Sequence, residues 1–299
     1  VLFDVVDTGS SSGSVSVALV LGHCTRRRTN VKSTAHISEH RSATLADVAT
    51  SASSPPSPLS PSSASPLRPA GARARAHAEV RASILATASA HLARHGAEGL
   101  SLRAVARDLG MVSSAVYRYF ASRDELLTAL IIDAYDSLGA TTEAAIDATA
   151  GQTPADRWAA AALAIRSWAM THRHDYALLY GTPVAGYAAP DDTVVPGTRV
   201  SRALVRIVRD AARDGRLAPP SSGLAVSATT SESFVALRAE LDLDDVADET
   251  ILALLLAWSQ LFGLLTFELF GQTRNFVHDD GQLFADAAAA MAHHLGLPD

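Results

Sequence analysis

Residues 99–127 read GLSLRAVARDLGMVSSAVYRYFASRDELL, and the order of apolar, glycine and polar positions in this stretch decides the fold. Ser101 heads a short run containing Val105, Ala106 and Leu109, the place where a hydroxyl caps a helix. Gly110 interrupts that run, and a third short helix is expected from about Ser113 to Phe120. Ser122 and Glu125 form an S-x-x-E capping box ahead of Leu126, Leu127, Leu130, Ile131, Ala134 and Leu138, which share one face of a longer helix. Small Ala106 lets two helices approach and Gly110 supplies the tight turn. Val105, Leu109, Val112, Val116 and Phe120 are expected to fill the core beneath. That leaves Ser113, Ser114, Tyr117 and Arg118 exposed on the third helix, with Tyr119 near its end. A DNA major groove about 12 Å wide admits one helix, so a reader needs a short helix held at a fixed angle by another. Hydroxyls and a guanidinium suit phosphate oxygens and base edges.

Upstream, helical periodicity begins near Ala76. Val80, Ile84, Leu85, Ala88 and Leu92 share one face, and Gly96 closes the helix. The whole block, from about residue 79 to 127, resembles the tetracycline-repressor (TetR) family of bacterial regulators. Its most specific part is Val116-Tyr117-Arg118-Tyr119-Phe120 followed by Ser122-Arg123-Asp124-Glu125-Leu126. The resemblance implies DNA contacts from Ser101 and Arg103 on the second helix, and from Ser113, Ser114, Tyr117 and Tyr119 on the third; Arg118, exposed beside them, is a further candidate. It further implies that Arg123, where the family usually has lysine, holds a phosphate at the start of the fourth helix.

Charge is distributed unevenly along the chain. The formal total is −6. Residues 1–75 carry eight Lys/Arg and four Asp/Glu; residues 76–126 carry six and five; residues 127–299 carry eleven and twenty-two. An acidic body is repelled by phosphate, so DNA contact must come from the front of the chain. Residues 1–75 are expected to be a disordered tail, since fourteen of the twenty-two residues from Ala49 to Ala70 are Ser or Pro. The basic residues Arg26, Arg27, Arg28 and Lys32 either touch phosphates or, as we favour, belong to a solvated tail. Val15 to Leu21 is apolar, but Asp4 and Asp7 stand where an export signal carries positive charge, so none is expected.

The remainder, residues 128–299, reads as helix after helix, and the chain is expected to be all-α. Thr153-Pro154-Ala155-Asp156 opens one helix, running to about His172. Pro183, Pro190 and Pro196 make Gly181 to Gly197 a loop. From Thr198 to Asp214, Val200, Leu204, Ile207, Val208 and Ala211 share one face, while Arg199, Arg202, Arg206, Arg209 and Arg213 share the other. That stripe is either a second phosphate-binding surface or, as we favour, a solvated face paired with nearby acids. Ile251 to Phe267 carries no charge, yet its flanks, Asp248, Glu249 and Glu268, offer no cationic anchor for a membrane span. A buried core or subunit-interface helix is the expectation.

The body also resembles a C-terminal regulatory domain common in actinobacterial members of that family. The similarity rests on the Trp168 helix, residues 180–187 and the W-x-x-L-x-G segment Trp258-Ser259-Gln260-Leu261-Phe262-Gly263, in which Phe262 replaces a frequent histidine. The resemblance implies a ligand cavity among the central helices and a homodimer built by helices around 249–270 and 280–295. Trp168, His172, Tyr176, Tyr180, Trp258 and Phe262 are the candidate ligand contacts, although these aromatic residues equally suit an ordinary core. Tyr187 and Phe267 stand in the same group. Leu261, Leu265, Phe284, Ala288 and Met291 are the candidate dimer contacts.

Single Cys24 excludes an internal disulfide, and a cytoplasmic location fits. His172, His174, His293 and His294 lack acids at specific ligand spacing, so no metal is expected. No phosphate loop, nucleophile elbow or paired-carboxylate pattern occurs, and no cofactor is called for. The expected partners are double-stranded operator DNA, a small hydrophobic or aromatic effector and a second copy of the chain. Repression is the expected outcome, activation the alternative, and a helical enzyme the rival of another class.

Overall fold

The computed structural model describes residues 69–299 except Ser222 and Leu224. The Ser/Pro-rich segment up to residue 68 and the basic residues 26–32 lie outside the described residues. Among the described residues every regular element is a helix.

Helix α1 spans Pro69–His95, so it starts earlier than the apolar period near Ala76 suggests. Proline suits a first helical position and the following Ala and Arg residues favour helix. The side chains from 71 to 79 are all exposed, so no apolar face marks this extension in the sequence. Residues 69–82 of α1 fall in one unit; residues 83–299 form another, compact one.

Within the second unit, Ile84, Leu85, Ala88 and Leu92 of α1 are buried as their spacing requires. Helices α2 (Leu102–Asp108) and α3 (Ser113–Val116) pack on each other. Gly110 joins them with φ +64, in a space where a Cβ would meet nothing, so backbone conformation alone demands glycine there. The third helix is shorter than expected. After Val116 the chain tightens into i→i−3 bonds, from Arg118 N to Ala115 O and from Tyr119 N to Val116 O, although Phe120 N still reaches Val116 O at 3.1 Å. Val116 and Phe120 fill the core as expected. Val112 does not: it is 71% exposed, because its extended backbone precedes the helix and sends the side chain off the buried face.

Helix α4 (Arg123–Ala148) starts on the expected capping box, with Ser122 Oγ accepting from Glu125 N at 3.0 Å. Glu125 Oε2 returns to Ala121 N at 2.7 Å rather than to the cap residue itself. α4 packs on α5 (Pro154–Thr171), α6 (Arg173–Tyr180) and α7 (Val194–Arg213). The α4–α7 crossing is close at Gly139, where a Cβ would lie 2.8 Å from that of Arg199. α7 takes in residues expected to be loop. Pro196 is accommodated because an N–H in the first turn has no acceptor inside the helix.

Helices α9 (Asp248–Leu269) and α10 (Asp280–His294) pack on α5 and on each other, while α8 (Ala228–Leu241) lies on α9. By length and composition α9 could cross a membrane, but Ile251, Leu254, Ala257, Leu261 and Leu265 line the core of this helical body. The side chains expected at a dimer contact need correction. Leu261, Leu265, Phe284, Ala288 and Met291 are each at most 2% exposed within one chain. The most apolar face of each helix has been used to close the protomer, so a second copy can reach only what remains, such as Leu256, Phe267 and Leu283.

Candidate functional site

Two groups of side chains carry the functional argument. One is the outward face of α2 and α3. Arg103 and Ser114 are exposed, Tyr117 is 44% exposed and Arg118 is exposed, while Ser101, Ser113 and Tyr119 are half-buried. Ser101 occupies the N-cap position of α2, yet its hydroxyl makes no cap bond and stays available. Arg103, Arg107 and Arg118 have no acidic or hydrogen-bonding partner among the described residues.

The arginine stripe of α7 behaves differently. Arg199 is bonded to Asp136 (2.7 Å) and Glu143 (2.6 Å), which hold its guanidinium even more firmly protonated. Arg202 meets Glu240, Arg206 meets Asp147 and Arg213 meets Asp242, while Arg209 lies 3.5 Å from Asp210. Each cation of the stripe already has a carboxylate, so the paired-face reading holds. On α2 and in the turn after α3, by contrast, the exposed arginines keep their charge free.

The face formed by α2 and α3 is held by bonds that spacing did not reveal. His91, only 5% exposed on α1, places Nε2 2.7 Å from Asp108 Oδ2 at the end of α2. That hydrogen bond, with Arg94 beside it, keeps the Asp108 carboxyl below its ordinary range. Arg123, expected on a phosphate, donates Nη2 to Ala97 O at 2.8 Å and lies 3.3 Å from Asp124 through Nη1. A guanidinium has five N–H donors, so this anchor leaves others for phosphate.

The second group lies in the body. Of the six candidate ligand residues, Tyr176, Tyr180, Trp258 and Phe262 come together. Phe262 lies 4.5 Å from Tyr180, 5.1 Å from Trp258 and 6.4 Å from Tyr176, centroid to centroid. Trp168 and His172 form a separate stacked pair at 4.9 Å, with Trp168 Nε1 donating to Ser137 Oγ and His172 Nδ1 bonded to Trp168 O. Phe267 is 53% exposed and faces away. Tyr135 of α4 joins the cluster at 6.3 Å from Tyr180; it escaped notice in the sequence, although it falls on the α4 apolar face four residues after Ile131. Burial pushes the Tyr135 and Tyr176 hydroxyls up to about 12 and raises Tyr180 as well, so all three stay protonated donors at neutral pH. Tyr176 OH is committed to Phe262 O and Thr266 Oγ1. In the loop after α6, Tyr187 OH lies 2.8 Å from Thr128 Oγ1 near the start of α4, which ties the cluster's neighbourhood to the helix leaving the reading face. Among the described residues no group of three or more His, Cys, Asp or Glu is arranged to hold a metal.

Comparison with known proteins matches both groups. The sequence model described as bacterial regulatory proteins, tetR family, matches residues 84–130. The one described as tetracyclin repressor-like, C-terminal domain, matches residues 158–291. HTH-type transcriptional regulators Rv1816 of Mycobacterium tuberculosis and Mb1846 of Mycobacterium bovis are each 39% identical to the chain over 231 residues, covering 75% of it and 97% of theirs. Among solved structures, SCO4313, described as a regulatory protein, is 35% identical with a TM-score of 0.55, over 73% of this chain and 98% of its own. A protein of unknown function from Rhodococcus sp. RHA1 is 27% identical with the same TM-score, over 72% and 95%.

Proposed function

Because the chain belongs to the TetR family of transcriptional regulators, we propose that it is a dimeric repressor, released from operator DNA by a small apolar or aromatic effector. The observation that carries the reading is the contrast in charge. Exposed arginines on α2 and in the turn after α3 lack partners, whereas every arginine of the α7 stripe has an acid beside it. Arg103 and Arg118, with the hydroxyls of Ser101, Tyr117 and Tyr119, would grip phosphates, while Ser113 and Ser114 reach base edges. Two copies joined through the outward faces of α9 and α10 would present two such units to a near-palindromic site. Working on DNA, the protein would act in the cytoplasm.

For the effector, the aromatic cluster supplies apolar walls with few polar groups, as small-molecule sites do. Its link through Tyr187 and Thr128 to α4 gives a ligand a way to bias the reading unit, provided that it binds the two states unequally. Selection of bound sites from random DNA by the full chain tests the core of this reading. Enrichment of a near-palindromic motif is expected; no enrichment at low salt would overturn it.

A further inference from the structure

An apolar cavity lies between α7, α8 and α9, walled by Leu204 and Val205, Leu237 and Leu241, and Leu254 and Trp258. Its free volume is about 20 Å³, close to the room that one water needs, and its lining is almost wholly apolar. Ser201 supplies a hydroxyl there, already donated to Thr198 O at 2.9 Å. The space therefore has little to hold water.

The helix that covers it is secured unequally along its length. At its C-terminal end, Arg238 grips Val246 O and meets Asp248 at 2.6 Å. Arg202 of α7 reaches Glu240 at 2.6 Å, and Arg213 reaches Asp242 at 2.5 Å. Asp242 itself adopts φ +58, the only positive φ at a non-glycine among the described residues, so the chain turns sharply there. The other half of α8 is lightly held. Ser231 is hydrogen-bonded to Asp248 and Phe234 is buried, but Val235 is 65% exposed and most of its neighbours are open to solvent. Few buried contacts and exposed backbone mark a segment of low local stability.

We infer that α8 is a lid hinged at Asp242, and that its lifting enlarges the apolar space beneath it to take the aliphatic chain of a neutral effector. This rests on the reading of the protein as effector-responsive and goes on to name the chemistry. Leu and Val side chains line the space from both sides, and no charged group lies in its wall, so a buried carboxylate or ammonium would have no counter-charge. Trp258 is shared: one face borders this cavity, and its ring lies 5.1 Å from Phe262 of the aromatic cluster. A chain seated under α8 ends against the ring that borders the cluster. Two arginines of the α7 stripe thereby gain a role in holding the hinge.

The test uses the full chain and N-phenyl-1-naphthylamine, a neutral apolar fluorophore, displaced by 1-dodecanol or by benzyl alcohol. Saturable probe binding is expected, with displacement by dodecanol at far lower concentration than by benzyl alcohol. Leu204→Phe, or Leu237→Phe should the first fail to fold, narrows the cavity and should weaken the probe about tenfold or more. Amides of residues 230–237 should exchange with deuterium faster than those of 253–261, and slow when dodecanol is added. Equal displacement by both alcohols, unchanged affinity in a folded variant, or α8 amides as slow as those of α9 would each overturn the inference. None of these readouts involves DNA, so a failure here is separable from a failure to bind an operator.

Discussion

Arg123, the first residue of α4, donates Nη2 to the carbonyl of Ala97, 2.8 Å away in the turn that follows α1. One side chain thus joins the turn after the first helix to the helix that leads into the body, and its remaining N–H groups are those proposed to hold a phosphate. Two substitutions separate these roles. Arg123→Ala should weaken binding to all DNA sequences alike and lower the salt slope by roughly one unit. Arg123→Lys should keep that slope, because the charge remains, but lower the melting temperature, because an ammonium lacks the fork that reaches the carbonyl. Binding at several salt concentrations, beside thermal melting, checks both.

A second expectation concerns pH. Asp108 is held below its ordinary carboxyl range, first by its hydrogen bond to His91. A depressed folded value means that this contribution is present above the unfolded carboxylate pKa and is lost as pH falls through the folded value. Asp108→Asn should flatten the fall in melting temperature on acidification below the carboxylate range. An unchanged acid limb would show that His91 and Asp108 do not carry it.

Val112 and Val105 should respond oppositely to truncation. Val105 is fully buried and Val112 is 71% exposed. Val105→Ala should cost roughly 1–3 kcal/mol from lost burial and the cavity left behind. Val112→Ala should leave chemical denaturation unchanged. Equal effects would mean that Val112 is covered in solution.

Assembly can be tested on the two faces of α9. Leu261→Arg puts an unpaired charge at a position with no exposure, so insoluble or unfolded protein is expected. Phe267→Arg alters a side chain that is 53% exposed; if the proposed dimer uses this face, sedimentation should show a dimer for the parent chain and a folded monomer for the variant. A folded Phe267→Arg dimer would move the interface elsewhere.

The Tyr187–Thr128 bond should matter for response more than for folding. Tyr187→Phe removes one half-buried hydrogen bond, which costs about 0.5–1.5 kcal/mol of stability. Operator affinity without effector should change little, whereas the loss of affinity caused by effector should shrink. Titrating operator with and without effector for both proteins measures that difference.

Local chemistry made the reading unit legible in the sequence. The Ser122–Glu125 box, Gly110, and the periods of Val105, Val116, Leu126 and Leu130 act over three or four residues, so they can be read along the chain. The all-α class follows from the same short-range signals. Which apolar face of a helix meets which neighbour is a different matter. Leu261 and Phe267 lie in one uncharged stretch of α9, and nothing in their spacing says that the first is buried within the chain while the second faces outward. His91 and Asp108 are seventeen residues apart, and Arg199 and Glu143 fifty-six, so their pairing depends on how helices cross. Tertiary structure alone decided that Arg202 and Arg213 pin α8 over a cavity. An ion pair between distant helices exists only once apolar burial has brought their backbones together, and burial is not directional enough for the pattern to specify its partner in advance.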